Sequence, residues 1–337
     1  MRIAGLAGGI GGAKFLRGVR AAVPQDEITA IVNTGDDVTL HGLRICPDLD
    51  SVMYTLAGVH DTERGWGRAD ESWRVMSELA EYGAEPGWFS LGDLDIGTHL
   101  VRTRMLDAGF ALSDVTTALC ARWQIGARIL PMTDQRCETH VIVDDTDAAV
   151  TDGGPRRKAI HFQEWWIRYR AALRPEAFVQ VGVDEAVPAP GVLEAIAAAD
   201  VVLIAPSNPV VSIGTILGVP GIREAVAAAA GPVIGYSPIV RGAPVRGMAD
   251  MCLPAIGVEV SAEAVGRHYS SRRDGGASRR DGGGLLDGWL VHESDTADVP
   301  GVEVRAIPLL MTSDDASAAM VRAGLDLAAA ISAGSRR

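Results

Sequence analysis

"MRIAGLAGGIGGAKFLRGV", residues 1 to 19, decides how the chain begins to fold. A short apolar run ends in four glycines within five positions, Gly8, Gly9, Gly11 and Gly12. Lys14 and a helix-spaced apolar set, Phe15, Leu16 and Val19, follow. The reading is a buried strand over "MRIAGLAG" and a helix over residues 12 to 23, joined by the glycines. Glycines at such a junction let the backbone approach a ligand closely. The helix N-terminus then offers free N–H groups and the positive end of its dipole. The pattern therefore predicts a bound anion, a phosphate above all, with Lys14 adding positive charge. A tight strand-to-helix turn holding nothing is the alternative. Neither standard nucleotide fingerprint is met. A G-x-G-x-x-G beginning at Gly9 requires glycine at 14, where Lys14 stands, and in a P-loop no Ala13 separates the last glycine from the lysine.

Outward from this stretch, apolar runs bounded by turn residues continue. They are "EITAIVNTG" from Glu27, "THVIV" (139–143), "DVVLIAPSNP" (200–209), "GPVIGYSP" (231–238) and "VEVRAIPLLM" (302–311). Helical patterns, "GVLEAIAAA", "GIREAVAAAA" and a segment near 258–268, precede the last three. Alternating strands and helices predict an α/β, Rossmann-like fold, with a mostly parallel sheet flanked by helices. Residues 51–130 read as a helical insertion, carrying "ESWRVMSELAEYG" and "LSDVTTALCARW". Residues 270–284, "SSRRDGGASRRDGGG", read as a mobile loop. The whole, 1–330, is expected to be one domain.

With 337 residues, 47% of them hydrophobic, the chain can bury a substantial core. A formal charge of -12 argues against a nucleic-acid-binding surface. Cys46, Cys120, Cys137 and Cys252 are scattered without zinc spacing, which reads as reduced thiols in a cytoplasm. No signal peptide or uninterrupted membrane-length apolar run is seen, so no membrane segment is expected.

Chemistry-bearing residues gather after the second strand. "NTGDD" holds Asn33, Asp36 and Asp37, and "CPDLDS" brings Asp48 and Asp50. Ligands of open α/β sheets bind beyond the strand C-termini. Carboxylates beside a phosphate suit Mg²⁺, although Asp50 could equally cap a helix from Ser51. "APSNPVVSIG" (205–214) places Ser207, Asn208, Ser212 and Gly214 in a rigid turn suited to a nucleotide. "GYSPIVRGAPVRG" offers Arg241 and Arg246 for anions. "LGDLDIGTHLVR" puts Thr98, His99 and Arg102 on a shared helix face, over a pocket or in solvent. "HFQEWWIRYR" supplies either a stacking surface for a flat ligand or a core or subunit contact.

On "LAGGIGGAKFL", "NTGDDVTLHGLRICPDLDSVMYTLAG", "LGDLDIGTHLVR", "HFQEWW" and "APSNPVVSIG", in this order, the chain resembles the 2-phospho-L-lactate transferase family of coenzyme F-420 biosynthesis. Its "RICPDLD" and "GLLDGWLVHESD" look like the actinobacterial phosphoenolpyruvate transferase branch. The resemblance implies a cytoplasmic, dimeric, Mg²⁺-dependent transferase. It would join the 5-deazariboflavin Fo to the phosphoenolpyruvyl or 2-phospho-L-lactyl group of a guanosine diphosphate donor, releasing GMP. Gly9, Gly11, Gly12 and Lys14 would hold donor phosphate. Asp36 and Asp50 would be catalytic and metal-binding, with Asn33 and Asp37 beside them. Ser207, Asn208, Ser212 and Gly214 would meet the guanosine nucleotide. Asp50 stands at a position that contacts Fo in the family. Ser90 stands where a second Fo contact, commonly lysine, is found, and Leu94 replaces the arginine of a common "GDRD". Two other classes compete: an NAD-type oxidoreductase with Asp36 on ribose, and a nucleotide-binding regulator without catalysis.

Overall fold

The computed structural model describes residues 1–145, 157–272 and 283–334. In chain order, β1 (Arg2–Ala7) leads through α1 (Gly9–Ala22) to β2 (Glu27–Val32). A small hairpin, β3 (Val38–Leu40) and β4 (Leu43–Ile45), precedes α2 (Pro47–Ala57), α3 (Arg74–Glu81), α4 (Asp93–Asp107) and α5 (Leu112–Cys120). After β5 (Arg128–Pro131) come β6 (Glu138–Asp144), β7 (Arg157–His161) and β8 (Pro175–Val181). Then α6 (Val192–Ala198) leads to β9 (Val201–Ile204), and α7 (Ile213–Gly218) with α8 (Ile222–Ala227) to β10 (Val233–Tyr236). The chain closes with the hairpin β11 (Ile239–Val240) and β12 (Ala243–Pro244), α9 (Ala249–Ala255), α10 (Ala262–Tyr269), β13 (Gly288–His292), β14 (Glu303–Ile307) and α11 (Asp314–Gly334).

Seven strands form one parallel sheet in the order β14-β13-β10-β9-β1-β2-β5, as the alternating pattern predicts. Side chains alternate across it. Ile3, Ala7, Ile28 and Val32 join the core under α1, α2, α5 and α11. Ala4, Leu6 and Ile31 join the core under α6 to α10. Strands buried on both faces need near-continuous apolar runs, which is why β1 and β2 are legible as sequence. The order reverses at β1: the chain leaves it toward β2 and β5, then returns on its other side as β9. The crevice between the C-terminal ends of β1 and β9 is thus the topological switch point, where α/β folds bind ligands.

Three expectations change. "THVIV" is a strand, but β6 pairs antiparallel with β7 and β8 in a separate sheet. Its alternation of buried and half-exposed positions marks a one-sided sheet. Two further strands of the sheet are β5, "RILP", at the end of the stretch read as helical, and β13, "GWLVH", whose apolar run is broken by polar neighbours on both sides. α1 begins at Gly9, so Gly9, Gly11 and Gly12 form the first helical turn itself, not a loop before it. Most of the expected mobile loop, residues 273–282, lies outside the described residues. Its described flank is pinned: Arg272 pairs with Asp287 at 2.7 Å and donates to the carbonyls of Ala229 and Gly231. The aromatic segment resolves to core. Trp165 is fully buried, with its indole N–H on the Leu173 carbonyl.

α11 is long and apolar enough, by length and composition, to cross a membrane, yet 44% of its most apolar stretch is buried in the fold. It lies against α1 at Gly18, where a Cβ would meet the Ser317 Cβ at 2.7 Å and its backbone carbonyl at 2.9 Å. Backbone atoms cannot swing aside as a flexible side chain does. Gly18→Ala is therefore expected to destabilise the fold by about 1–3 kcal/mol through overpacking. Urea unfolding, compared with an Ala substitution at exposed Gly97, checks this.

Candidate functional site

The site forms where the ends of β1 and β9 meet α2. Gly8, the N-cap of α1, donates its N–H to Ser207 Oγ at 3.1 Å, and the same hydroxyl donates to the Gly8 carbonyl at 2.7 Å. These two bonds close the switch-point crevice at its floor. A Cβ at Gly8 would stand 2.7 Å from Ser212 Cβ and 2.8 Å from Asp48 Oδ2, and one at Gly12 would stand 2.7 Å from Ser207 Oγ. Both positions thus require glycine for close approach. Gly11 differs: its Cβ would find only the Pro206 carbonyl, at an ordinary 3.5 Å.

Asp48 supplies the cap that α1 lacks from its own residues. Its carboxylate accepts the Gly9 N–H and, at 2.9 Å, the side-chain N–H of Asn33. Asn33 Oδ1 in turn accepts the Gly35 N–H at 2.9 Å, which shapes the "NTGDD" turn, and the same side chain hydrogen-bonds Asp36. That turn is tied down further by Thr139 N–H to the Gly35 carbonyl at 2.7 Å and by His161 Nε2 to the Asp37 carbonyl at 3.2 Å. Asp36 and Asp48 therefore share one buried locus. Burial raises the Asp36 carboxyl well above the ordinary range, and Asp48 raises it further. Burial likewise pushes Asp48 up to about 6. Among the described residues, Oδ1 of Asp36 has no hydrogen-bond partner.

Asp50 faces elsewhere. Helical residues two apart do not share a face, so Asp50 turns from the glycines toward α4. There the Arg102 guanidinium grips it in a fork, Nη1 to Oδ2 at 3.0 Å and Nη2 to Oδ1. Arg102 Nη1 also lies 3.0 Å from His99 Nδ1. Burial holds His99 down to about 4, so the ring is neutral and Nδ1 accepts from Arg102. Asp95, raised to about 7 by burial and then by Asp50, accepts from the Tyr54 hydroxyl at 2.7 Å. The sequence reading joined Asp36 and Asp50 at one metal. The structure pairs Asp36 with Asp48 and gives Asp50 to Arg102.

The remaining expected residues divide. Asp37 is fully buried behind the turn, paired with Arg44 at 3.2 Å, and burial raises it to about 7. The Asn208 side chain is spent within its own turn: Oδ1 accepts from Val210 and Val211, and Nδ2 points to Cys252 Sγ at 3.4 Å. Gly214 packs against the Pro209 carbonyl, 2.7 Å from where a Cβ would be. Ser212 stands beside Gly8 and Asp48. Lys14 is half-buried, one helical turn beyond Gly11 on the same face of α1, and makes no ion pair among the described residues. Ser90 is exposed and lines a shallow cleft of about 360 Å³ with Trp73, Met76 and Leu79, apart from the glycine turn. Of the two offered arginines, Arg241 is tied by its backbone N–H to Asp295 and by Nε to Ser294. Arg246 leans on Gly65 across from it. The residues under-read in the sequence are Asp48 and Arg102, and helical phase was the signal that separates Asp48 from Asp50.

Does the site fit a divalent cation? Two adjacent buried carboxylates, one with an oxygen lacking any partner, are hard oxygen ligands held in a costly ionisation state. A cation there would relieve that cost. Among the described residues no group of three or more His, Cys, Asp or Glu is placed to hold a metal. An ion at Asp36 and Asp48 would complete its shell with phosphate and water oxygens, as Mg²⁺ commonly does.

The comparisons bear on the whole chain. The family described as "2-phospho-L-lactate transferase CofD" matches residues 3–305. A phosphoenolpyruvate transferase of Nocardia farcinica is 59% identical over 327 residues, covering 97% of this chain and 95% of that protein. One from Mycolicibacterium smegmatis is 57% identical over 337 residues, covering 97% and 99%. Among solved structures, protein BH3568 of Bacillus halodurans superposes with a TM-score of 0.60 at 18% identity over 96% of this chain and 99% of that one, a likeness of fold alone.

The pKa directions give a test that needs no substrate. A carboxyl raised in the folded state binds its proton more tightly there than in the unfolded chain. Stability is then lost as pH rises from the unfolded value near 4 through the folded one. For Asp48, from 3.8 to about 6, this is on the order of 3 kcal/mol. Asp48→Asn is expected to flatten the fall in stability between pH 4 and 7 in metal-free protein. Urea midpoints across that range measure it.

Proposed function

The chain belongs to the 2-phospho-L-lactate transferase family, and from that membership we propose the reaction in full: the terminal ribityl hydroxyl of Fo attacks the acid-bearing phosphorus of a guanosine diphosphate ester, and GMP leaves. The new bond joins the Fo oxygen to that phosphorus, and the bond to the bridging oxygen breaks. The hydroxyl proton passes to a carboxylate or to water. The phosphoenolpyruvate transferase names of the two relatives favour an enolpyruvyl ester over a lactyl one. One observation carries the proposal: a helix N-terminus built of glycines and two buried carboxylates meet at the switch point of the sheet. That is a diphosphate-and-cation arrangement. The family membership sets aside the dinucleotide oxidoreductase and the non-catalytic regulator.

In this reading the free N–H groups at the start of α1 bind the donor phosphates, and Lys14 adds charge one turn further along. Asp36 and Asp48 hold Mg²⁺, which when bound offsets the negative charge gathered on the diphosphate. Asn33 fixes both carboxylates by donating to them, and Ser207 holds the glycine turn open at its base. Asp50, turned away from Asp48 toward α4 on the same helical turn, meets the acceptor hydroxyl and keeps it aligned with the phosphorus. The guanosine lies over the 205–214 turn, reached by backbone groups and Ser212, since Ser207 and Asn208 are already engaged. Positioning and charge stabilisation do most of the work in such transfers.

Incubation with Fo, the guanosine ester and Mg²⁺ is expected to yield GMP on chromatography, and excess chelator is expected to abolish it. Undiminished release in chelator removes the cation from the reaction. Gly11→Val probes the glycine turn. A Cβ at Gly11 meets the Pro206 carbonyl at an ordinary 3.5 Å, and the melting temperature checks that the variant folds. It should then lose at least about tenfold in GDP affinity, because the side chain occupies the phosphate's approach. Calorimetric titration with GDP measures this, and wild-type affinity would leave the glycines as a turn only.

A further inference from the structure

Asp48 and Asp50 are separated by one residue on α2 and held by unrelated partners. Asp48 belongs to the glycine turn, through the Gly9 N–H and Asn33. Asp50 belongs to α4, through the two-point Arg102 fork. Both members of that second pair are almost wholly buried, with side-chain exposures of 2% for Arg102 and 7% for Asp50. The fork fixes both carboxylate oxygens at once, which a single-point contact cannot do. Arg102 is itself fixed. Its Nη1 donates to His99 Nδ1 at 3.0 Å and to the Arg44 carbonyl at 3.3 Å, and Arg44 pairs with Asp37 behind the "NTGDD" turn. One oxygen lone pair remains on each side of the Asp50 carboxylate after the fork is made, directed by it.

We propose that Arg102 is a positioning residue for the acceptor: it acts through Asp50 alone, setting the orientation in which that carboxylate receives the Fo hydroxyl, with His99 as its brace. This rests on the transferase reading above. It separates two duties on one helical turn. The donor and cation side runs through Asp48 and is independent of Arg102, while the acceptor side runs through Asp50 and depends on it. Lysine cannot substitute, since an ammonium offers one point of charge in place of a planar fork.

Arg102→Lys keeps the buried charge and is the first variant. It is expected to raise KM for Fo about tenfold and to lower kcat, while GDP affinity in Mg²⁺ and the melting temperature stay near wild type. Asp50→Asn with Arg102→Gln, which replaces the ion pair by two neutral partners, serves where the lysine variant folds poorly. If Arg102 works through Asp50, this double variant is no slower than Asp50→Asn alone, so the losses do not add. Three results overturn the proposal: unchanged Fo kinetics in Arg102→Lys, GDP affinity falling in step with Fo affinity, or additive losses in the double variant. The second would mean that the pair only braces α2. Fo affinity is also titrated directly without donor. Should the wild type release no GMP, the transferase reading fails by itself, and the titration still judges whether Arg102 governs Fo binding.

Discussion

The double hydrogen bond between Gly8 and Ser207 is the constraint on which the site depends. It joins the turn after β1 to the turn after β9, 199 residues apart in sequence, at the point where the strand order reverses. A side chain at Gly8 would push away Ser212 and Asp48, and one at Gly12 would displace Ser207. The absence of those side chains brings a carboxylate from α2 against the start of α1. There it occupies one of the helix's unpaired N–H groups and meets Asp36. The helix dipole favours the negative charge, while burial opposes it. Burial raises both carboxyls and the Asp48 charge raises Asp36 further, while the hydrogen bonds from Asn33, and from the Gly9 N–H to Asp48, offset only part of that rise.

A second set of buried charges lies behind this one, and it is organised differently. Asp37 with Arg44 and Asp50 with Arg102 are opposite charges taken out of water together. Such pairs contribute little net stability, because desolvation consumes most of their attraction. What they do supply is orientation. Among the described residues, the Asp36 and Asp48 carboxylates have amide partners and a shared excess of negative charge. The Asp50 carboxylate has a guanidinium and a fixed direction. Two aspartates in one short segment thus have opposite electrostatic surroundings, and the tertiary structure alone assigns them.

Much of the fold was legible because the chain obeys simple periodicities. β1, β2, β9, β10 and β14 show as apolar runs, and α6, α8 and α10 as helical patterns before their strands. The failures have physical causes. β5 has two apolar residues between Arg128 and Pro131, and β13 has three between Gly288 and His292, so neither stands out as an apolar run. β6 has a strand's pattern, but its partners β7 and β8 lie further along the chain and pair with it antiparallel, outside the main sheet. The aromatic segment "HFQEWW" is ambiguous in composition and becomes core only when Trp165 finds Phe162 and Phe178 around it.

By itself the sequence determined the fold class, the glycine-built character of the first strand-to-helix junction, and the family. Each of these is written in short-range patterns: apolar runs, glycine spacing, ordered motifs. Only the tertiary structure decided which aspartate does what. Asp36 meets Asp48 because the turn after β2 and the first turn of α2 converge on Gly8, and Asp50 is withdrawn because a helix turns about 100° per residue. Ser207, Asn208 and Asp37, all plausible ligands as residue types, are bound instead to Gly8, to their own turn and to Arg44. Residue type states what a side chain can bond. Its available neighbours, brought together from distant parts of the chain, settle what it does bond.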